Sequence, residues 1–446
     1  MPFPSDLEIA QAAHIAPLSE IATQLGLGDD VLEPYGRTVA KIDLTALQQV
    51  QNRPRGKYVV VTAITPTPLG EGKTTTSVGL AQAMKHIGKV GLLALRQPSM
   101  GPTFGIKGGA AGGGYSQVIP MEILNLHLTG DFHAVTAAHN LLAAMVDNHL
   151  HHGNALGLSL KNITWKRVLD VNDRSLRNVI IGLGPKEDGV ERESGFDITA
   201  ASEVMALLAL ATSMEDLRAR LGRIVVGYTD EKVAVTAEQI GCAGAMAVIL
   251  RDAIKPNLMQ TLENTPALIH TGPFGNIATG NSSVIADKLG IHMCDYLITE
   301  AGFGADMGAE RFFNIKCRVS GMVPDAAVLV ATVRALKAHS GQYKVVAGKP
   351  LPPEMLQESP DDVRAGATNL AKQIENVKAH GVSPVVAINA FPTDHPSEHA
   401  AIKEIAEALG ARVAICTHFA DGGAGAVELA QAVVAACDEE SHFEFL

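Results

Sequence analysis

Positive charge is in short supply in this chain. It carries 36 Lys and Arg against 47 Asp and Glu, a formal net charge of −11. That balance excludes non-specific nucleic-acid binding, because no global basic field displaces counterions, and leaves room only for a local basic pocket. Long hydrophobic runs are also missing. The best candidate, Val204–Thr212, falls short of the ~18–20 residues that span a bilayer and is preceded by Glu203. The first residues, Met1-Pro2-Phe3-Pro4-Ser5-Asp6, lack the basic patch and apolar core of a secretory signal. Cysteine is sparse: Cys242, Cys294, Cys317, Cys416 and Cys437 are odd in number, far apart and form no CxxC pair. A disulfide framework and a Cys-rich zinc site are therefore excluded, and a reducing cytoplasm is the expected setting. Charged residues make up 19% and hydrophobic residues 47%, a globular composition that excludes disorder. Aromatics are scarce at 4%, whereas glycine numbers 43 and clusters: six of the ten positions from Gly105 to Gly114 are Gly. Clustered glycine means a backbone that turns tightly or comes close to something, in an α/β enzyme often a phosphate.

A length of 446 residues accommodates two to four domains and a large core. Seven short β-branched runs read as strands: Tyr58–Ile64, Val90–Leu95, Ala267–His270, Tyr296–Thr299, Ala326–Ala331, Pro384–Asn389 and Arg412–Cys416. They are continuously apolar, as strands buried on both faces of a parallel sheet must be. Helical stretches lie between them at Thr75–His86, Ser283–Leu289, Gly366–His380 and Ser397–Leu409. This alternation predicts a doubly wound α/β fold. The segment 154–263 breaks the rhythm with Thr164-Trp165-Lys166-Arg167, the charged loop Pro185–Gly189 and a helix at Ala200–Thr212. It is expected to be an inserted smaller α/β domain, leaving 1–153 and 264–446 as the core. The first ~50 residues read as amphipathic helix, ended by the polar breaker Asn52–Lys57.

The strand Tyr58–Ile64 runs into Thr65-Pro66-Thr67-Pro68-Leu69-Gly70-Glu71-Gly72-Lys73-Thr74-Thr75-Thr76, and a helix follows. This is close to the P-loop pattern G-x-x-x-x-G-K-[ST], with Thr67 where the first glycine belongs. Backbone N–H groups at such a helix start face an anion. Lys73 would pair with the β- and γ-phosphates, and Thr74 would place its hydroxyl on Mg²⁺. The context gives a P-loop NTPase-like core: a doubly wound, mostly parallel seven-stranded sheet. A polar turn with an ordinary cap is the blander reading, and the flanking strand and helix argue against it.

Arg96 follows the second strand, where α/β sheets place their ligands and a guanidinium can hold a carboxylate or phosphate by two parallel hydrogen bonds. A surface salt bridge is its ordinary alternative. For the Gly105–Gly114 run, a solvated flexible loop stands open beside the ligand-approach reading. Histidines are dense at His127, His133, His149, His151 and His152, but no HExxH or other zinc spacing occurs, so packed or hydrogen-bonded histidines are expected.

Taken in order, these strings resemble one family. Thr67–Thr76 resembles the nucleotide loop of formate–tetrahydrofolate ligases. Arg96-Gln97-Pro98-Ser99-Met100-Gly101-Pro102, Asn125–Asp131, Asp147–Asn154, Trp165-Lys166-Arg167, Gly195–Thr199, Lys255–Leu258, Glu300–Asp306 and Phe391-Pro392-Thr393-Asp394 resemble further family motifs, over nearly the whole chain. The resemblance implies ATP-dependent joining of formate to tetrahydrofolate through formyl phosphate, with MgATP and tetrahydrofolate as substrates. It implies a nucleotide site at Thr67, Pro68, Leu69, Gly70, Glu71, Gly72, Lys73, Thr74 and Thr75, with Thr74 toward Mg²⁺. Lys73 and Arg96 carry over as the groups that neutralise the transferring phosphate. Asp131 matches a family position near the site, where a base for the N10 proton and a structural carboxylate capping a neighbouring helix both remain open. Phe303, Phe391, Pro392 and Phe419 are the folate candidates, because a flat pterin needs aromatic faces. The partners implied are small molecules, with no nucleic acid and no membrane. The family is commonly tetrameric and stimulated by monovalent cations, which implies a cytoplasmic homo-oligomer and leaves a cation open.

Departures from the family pattern are local. Phe419 stands where the family often has Trp, and Ala390 where it commonly has Lys or Arg. The stretch His270–Ser282 differs in its glycine and its ending. The family continues beyond Phe443-Glu444-Phe445-Leu446, so a C-terminal domain is expected to be absent. Two competing readings are a non-catalytic nucleotide- or folate-binding relative and a different P-loop reaction such as a kinase. Intact Lys73, Thr74 and Arg96 argue against the first. The second lacks an identifiable hydroxyl-substrate pocket.

Overall fold

The computed structural model describes residues 3–101, 104, 111–346 and 348–446. Seven parallel strands form its centre: β1 (Lys57–Ala63), β2 (Gly91–Leu95), β3 (Pro266–Ile269), β4 (Tyr296–Glu300), β5 (Ala326–Ala331), β6 (Ser383–Asn389) and β7 (Arg412–Cys416). Their spatial order is β3-β2-β4-β1-β5-β6-β7, and every neighbouring pair is parallel. All seven strands coincide with the apolar runs of the sequence. Alternation explains why those runs are continuous. Val59, Val61 and Ala63 of β1 enter one buried cluster, while Tyr58 and Val60 enter another on the opposite face. A strand covered on both sides has no polar face to show.

Helix α1 (Lys73–His86) packs against the first of these faces and is buried from Thr76 to Met84. The long helix Pro360–Ala379 covers the other and begins six residues earlier than its apolar periodicity suggests. Ser359 caps it by accepting from the Asp362 N–H, and Pro360 fills the first helical position, where its missing N–H costs nothing.

Contrary to what its sequence suggests, the amino terminus is not helical throughout. Residues 3–50 hold short helices at Asp6–Ala12, Leu18–Gln24 and Ala46–Val50, but also a hairpin, Leu32–Tyr35 with Val39–Ile42. Gly36 at φ +73° makes its turn, and Val39 to Ile42 are all buried. Through Asn257–Thr261, which is antiparallel to β3, this hairpin extends the sheet at one edge. Residues 257–261 thus lie in the main sheet. The stretch before them carries three small sheets of its own: Leu158–Ile163 with Val225–Thr229 and Ala234–Thr236, Arg167–Leu169 with Phe196–Ile198, and Val179–Ile181 with Arg192–Ser194. Helix α2 (Asp131–His151) packs against the Arg167–Leu169 strand and the helix Ala243–Ile249. No helix among the described residues is long and apolar enough to cross a membrane.

His139, His270 and His418 are among the histidines buried inside this fold. His139 stacks on Trp165 with ring centroids 4.1 Å apart, His270 sits between the Ser283 hydroxyl and the Ala253 carbonyl, and His418 lies against Thr76. Burial lowers the pKa of each to about 4. The unfolded chain takes up protons at these sites below about pH 6.5, while the folded chain does so only near pH 4. Stability contributed by the neutral rings is therefore complete above pH 6.5 and lost as pH falls. Each histidine should cost about 2 kcal/mol between pH 7.5 and 5.0. Asp170, Glu203 and Asp287, raised by burial, oppose part of that loss. Urea unfolding at the two pH values should show the lower midpoint at pH 5.0; an equal or higher midpoint there would count against this account.

Candidate active site

Because the central strands are parallel, their carboxyl ends all open on one edge, and the loops that follow meet there. The loop after β1 is drawn into a cradle by its own side chains. The Glu71 carboxylate accepts from the Thr67 N–H (2.8 Å) and the Thr67 hydroxyl (3.0 Å), so Thr67 ties the loop together where a P-loop would have glycine. From β6, the Asn389 amide donates to the Glu71 carbonyl at 3.0 Å. Gly72 holds φ +82°, and a Cβ on it would come within 2.5 Å of that amide nitrogen. Glycine is required there for both reasons. Helix α1 starts immediately after, with no side chain capping its first turn. Its leading N–H groups are free to meet an anion.

Around the cradle stand two cations and two carboxylates. Lys73 lies 3.9 Å from Glu71. Arg96, the first residue past β2, is buried; one guanidinium nitrogen donates to the Pro273 carbonyl at 3.2 Å and the other is 3.5 Å from Glu300. The Arg96 Nε is buried with no protein partner. Glu300 closes β4 and also accepts from the Thr74 hydroxyl at 2.8 Å. Burial pulls both cations below their ordinary pKa values; Glu71 and Glu300 oppose the shift at Lys73, and Glu300 opposes it at Arg96. The surface salt bridge entertained for Arg96 is replaced by a buried one.

These groups line one cavity of about 840 Å³, together with Asn125, Phe274 and Phe303. Thr67, Gly70, Glu71, Gly72, Lys73, Thr74 and Thr75 all reach it, whereas Pro68 and Leu69 are not among its lining residues. Phe303 is 40% exposed at the cavity, on a backbone turned to φ +61°. Phe391 lies on the neighbouring loop after β6, with the Arg334 guanidinium 3.7 Å from its ring centroid, and Pro392 beside it is exposed. Phe419 follows β7 but is engaged elsewhere: its ring stacks on Phe3 at 5.5 Å and lies against the backbone of Gly113 and Gly114. Of the glycine run, Gly112 and Gly113 pair with Ser116 and Gln117, while Gly105–Ala110 lie outside the described residues.

Asp131 is set apart from the cavity. It opens α2, is buried, and faces Lys41 at 2.8 Å and the Asn257 amide at 2.9 Å. Burial lowers the pKa of Lys41, with Asp131 opposing the shift. His127 and His133 hydrogen-bond to each other at 2.9 Å, and no cluster of three metal-ligating side chains exists among the described residues.

Glu300, Asn389 and Arg334 were not read as site residues from the sequence. A carboxylate at the end of an apolar strand, one residue past Thr299, is a signal that could have found Glu300. Nothing local distinguishes Arg334.

The sequence model of the family described as formate–tetrahydrofolate ligase matches residues 4–446. The formate–tetrahydrofolate ligase of Saccharopolyspora erythraea is 70% identical over 446 residues, covering 100% of this chain and 79% of that protein. Formate–tetrahydrofolate ligase 1 of Rubrobacter xylanophilus is 70% identical over 436 residues, 98% of this chain and 76% of that protein. The enzyme of Cutibacterium acnes is 68% identical over 441 residues, 99% and 78% of the two chains. The family match runs through residue 446 and lends no support to the expectation of an absent C-terminal domain.

Proposed function

The chain belongs to the formate–tetrahydrofolate ligase family, and from that premise we propose how its residues divide the reaction. The enzyme joins formate to tetrahydrofolate with ATP. The reading of a non-catalytic relative is not favoured. The observation that carries the assignment is the convergence of Lys73, Thr74, Arg96 and Glu300 on one cavity.

Formate is a poor electrophile, so activation comes first. A formate oxygen attacks the γ-phosphorus of MgATP, the bond to ADP breaks, and formyl phosphate forms. N10 of tetrahydrofolate then attacks the formyl carbon, phosphate leaves, and N10 loses its proton. Phosphoryl transfer asks the protein for position and charge. The cradle of Thr67–Thr75 takes the phosphates on its backbone. Thr74 turns its hydroxyl to the magnesium of MgATP, and Glu300 orients that hydroxyl. Lys73 and Arg96 exchange their carboxylate partners for phosphate oxygens, which holds formyl phosphate in place until the amine arrives. The unpartnered Arg96 Nε gives that guanidinium a further donor.

Phe391 and Phe303 supply the aromatic faces for the pterin, with Pro392 at the rim. Phe419 we assign a lesser part, since its ring stacks on Phe3 and it is not among the residues lining the cavity. We assign Asp131 a structural role other than helix capping, because its oxygens are engaged by the Lys41 ammonium and the Asn257 amide. The fold we assign is a doubly wound P-loop type, with residues 154 to about 256 as the inserted unit. The enzyme works as a homo-oligomer in the cytoplasm.

Oxygen exchange tests the sequence of steps. With ¹⁸O-labelled formate, MgATP and tetrahydrofolate, one label should appear in the released phosphate and one in the formyl product. Released phosphate free of label, with the second formate oxygen lost to water, would exclude formyl phosphate.

A further inference from the structure

Two links join the nucleotide cradle to the loop that carries Phe391. Asn389, two residues ahead of Phe391, donates to the Glu71 carbonyl at 3.0 Å. Arg334 makes the second link from a different element, the helix Val333–His339 that follows β5. Its guanidinium lies 3.7 Å from the Phe391 ring centroid, and one of its nitrogens donates to the Gly70 carbonyl at 3.4 Å. Its Nε is buried without a partner. One planar cation thus touches the phosphate cradle with its edge and an aromatic platform with its face.

A face-on guanidinium does more than fill space. It is attracted to the negative face of the ring and fixes the ring's tilt, leaving the opposite face for another flat group. Gly70, at φ +72°, is itself one of the residues that line the cavity. Any movement of its carbonyl on nucleotide entry is passed to Arg334, and from Arg334 to Phe391. Lysine could supply the charge but neither the planar contact nor the fork.

We propose that Arg334 is a positioning residue that couples nucleotide occupancy to folate binding, by holding Phe391 in the orientation set by the Gly70 carbonyl. The proposal rests on the reading of Phe391 as the pterin platform. Coupling of this kind is reciprocal: nucleotide tightens folate by the same factor as folate tightens nucleotide.

The test uses the whole chain and three variants, Arg334→Met, Arg334→Lys and Phe391→Ala. Tetrahydrofolate affinity is measured with and without a non-hydrolysable ATP analogue, and KM for each substrate is measured in turnover. Arg334→Met keeps a long apolar side chain and removes the guanidinium. It should raise the folate KM about 10-fold, abolish the nucleotide dependence of folate affinity, and leave the formate KM and the thermal midpoint unchanged. Arg334→Lys should recover little of the coupling. If Arg334→Met keeps wild-type coupling while Phe391→Ala weakens folate, the role of Arg334 is refuted and the platform stands. If Phe391→Ala leaves folate affinity unchanged, the platform reading fails and the coupling proposal falls with it.

Discussion

Replacing Lys73 with alanine should lower kcat by about 100- to 1000-fold, the usual loss when one preorganised donor to a developing oxyanion is removed. Lys73 is the first residue of α1, where free backbone N–H groups already favour negative charge. Its ammonium adds a full charge that a triphosphate can claim once Glu71 is displaced. Burial, joined by Arg96, pulls the Lys73 pKa down, and Glu71 and Glu300 oppose that pull. Incoming phosphates replace those carboxylates with a stronger partner. Lys73→Arg should recover only part of the rate, since a planar fork cannot occupy the place of a compact ammonium. Rates are to be read per folded molecule, with the thermal midpoint measured alongside. A Lys73→Ala enzyme retaining more than half of wild-type kcat would overturn the assignment.

The largest effect on stability is expected at the Lys41–Asp131 pair. Lys41 is 0% exposed on its side chain and Asp131 is 4% exposed. Lys41 also donates to the Lys255 carbonyl at 3.0 Å, and Asn257 donates to Asp131. Removing one partner of a buried pair leaves the other charge without compensation, so Asp131→Asn should lose about 3–5 kcal/mol of folding stability. The double replacement Lys41→Met with Asp131→Leu should recover most of that loss, because well-packed apolar residues can stand in for a buried pair. Chemical denaturation of the three variants measures this. Asp131→Asn that folds with wild-type stability but turns over slowly, per folded molecule, would return Asp131 to the role of base.

The two residues separate cleanly in how they could be read. Lys73 sits in a string that carries its own meaning: a strand, a short loop with glycines, then Lys-Thr and a helix. Local spacing forces the ammonium to the cradle whatever the rest of the chain does. Asp131 sits in an equally distinctive string, yet its role depends on Lys41, 90 positions earlier, and Asn257, 126 positions later. No local pattern records those partners. Phe391 and Phe419 differ in the same way. Each follows a core strand by two or three residues. Only the packing shows that Phe3 occupies one ring and Arg334 the other.

The amino-terminal hairpin shows why local reading fails at a sheet edge. Val39 to Ile42 read as part of an amphipathic helical stretch. Their strand exists because Asn257–Thr261 offers a free edge to pair with. Periodicity alone cannot distinguish the two when a run is only four residues long.

What this chain determined from sequence alone was its seven central strands, the glycine-bearing loop that leads into α1 and the family they belong to, since apolar runs and loop chemistry act within a few residues. Tertiary structure alone decided the partners of the charges. Glu300 lies between Thr74 and Arg96, Asp131 is joined to Lys41, and Arg334 is stacked on Phe391. Those choices depend on which strand ends and helices the sheet order brings together, and strand order is set by packing between segments hundreds of residues apart.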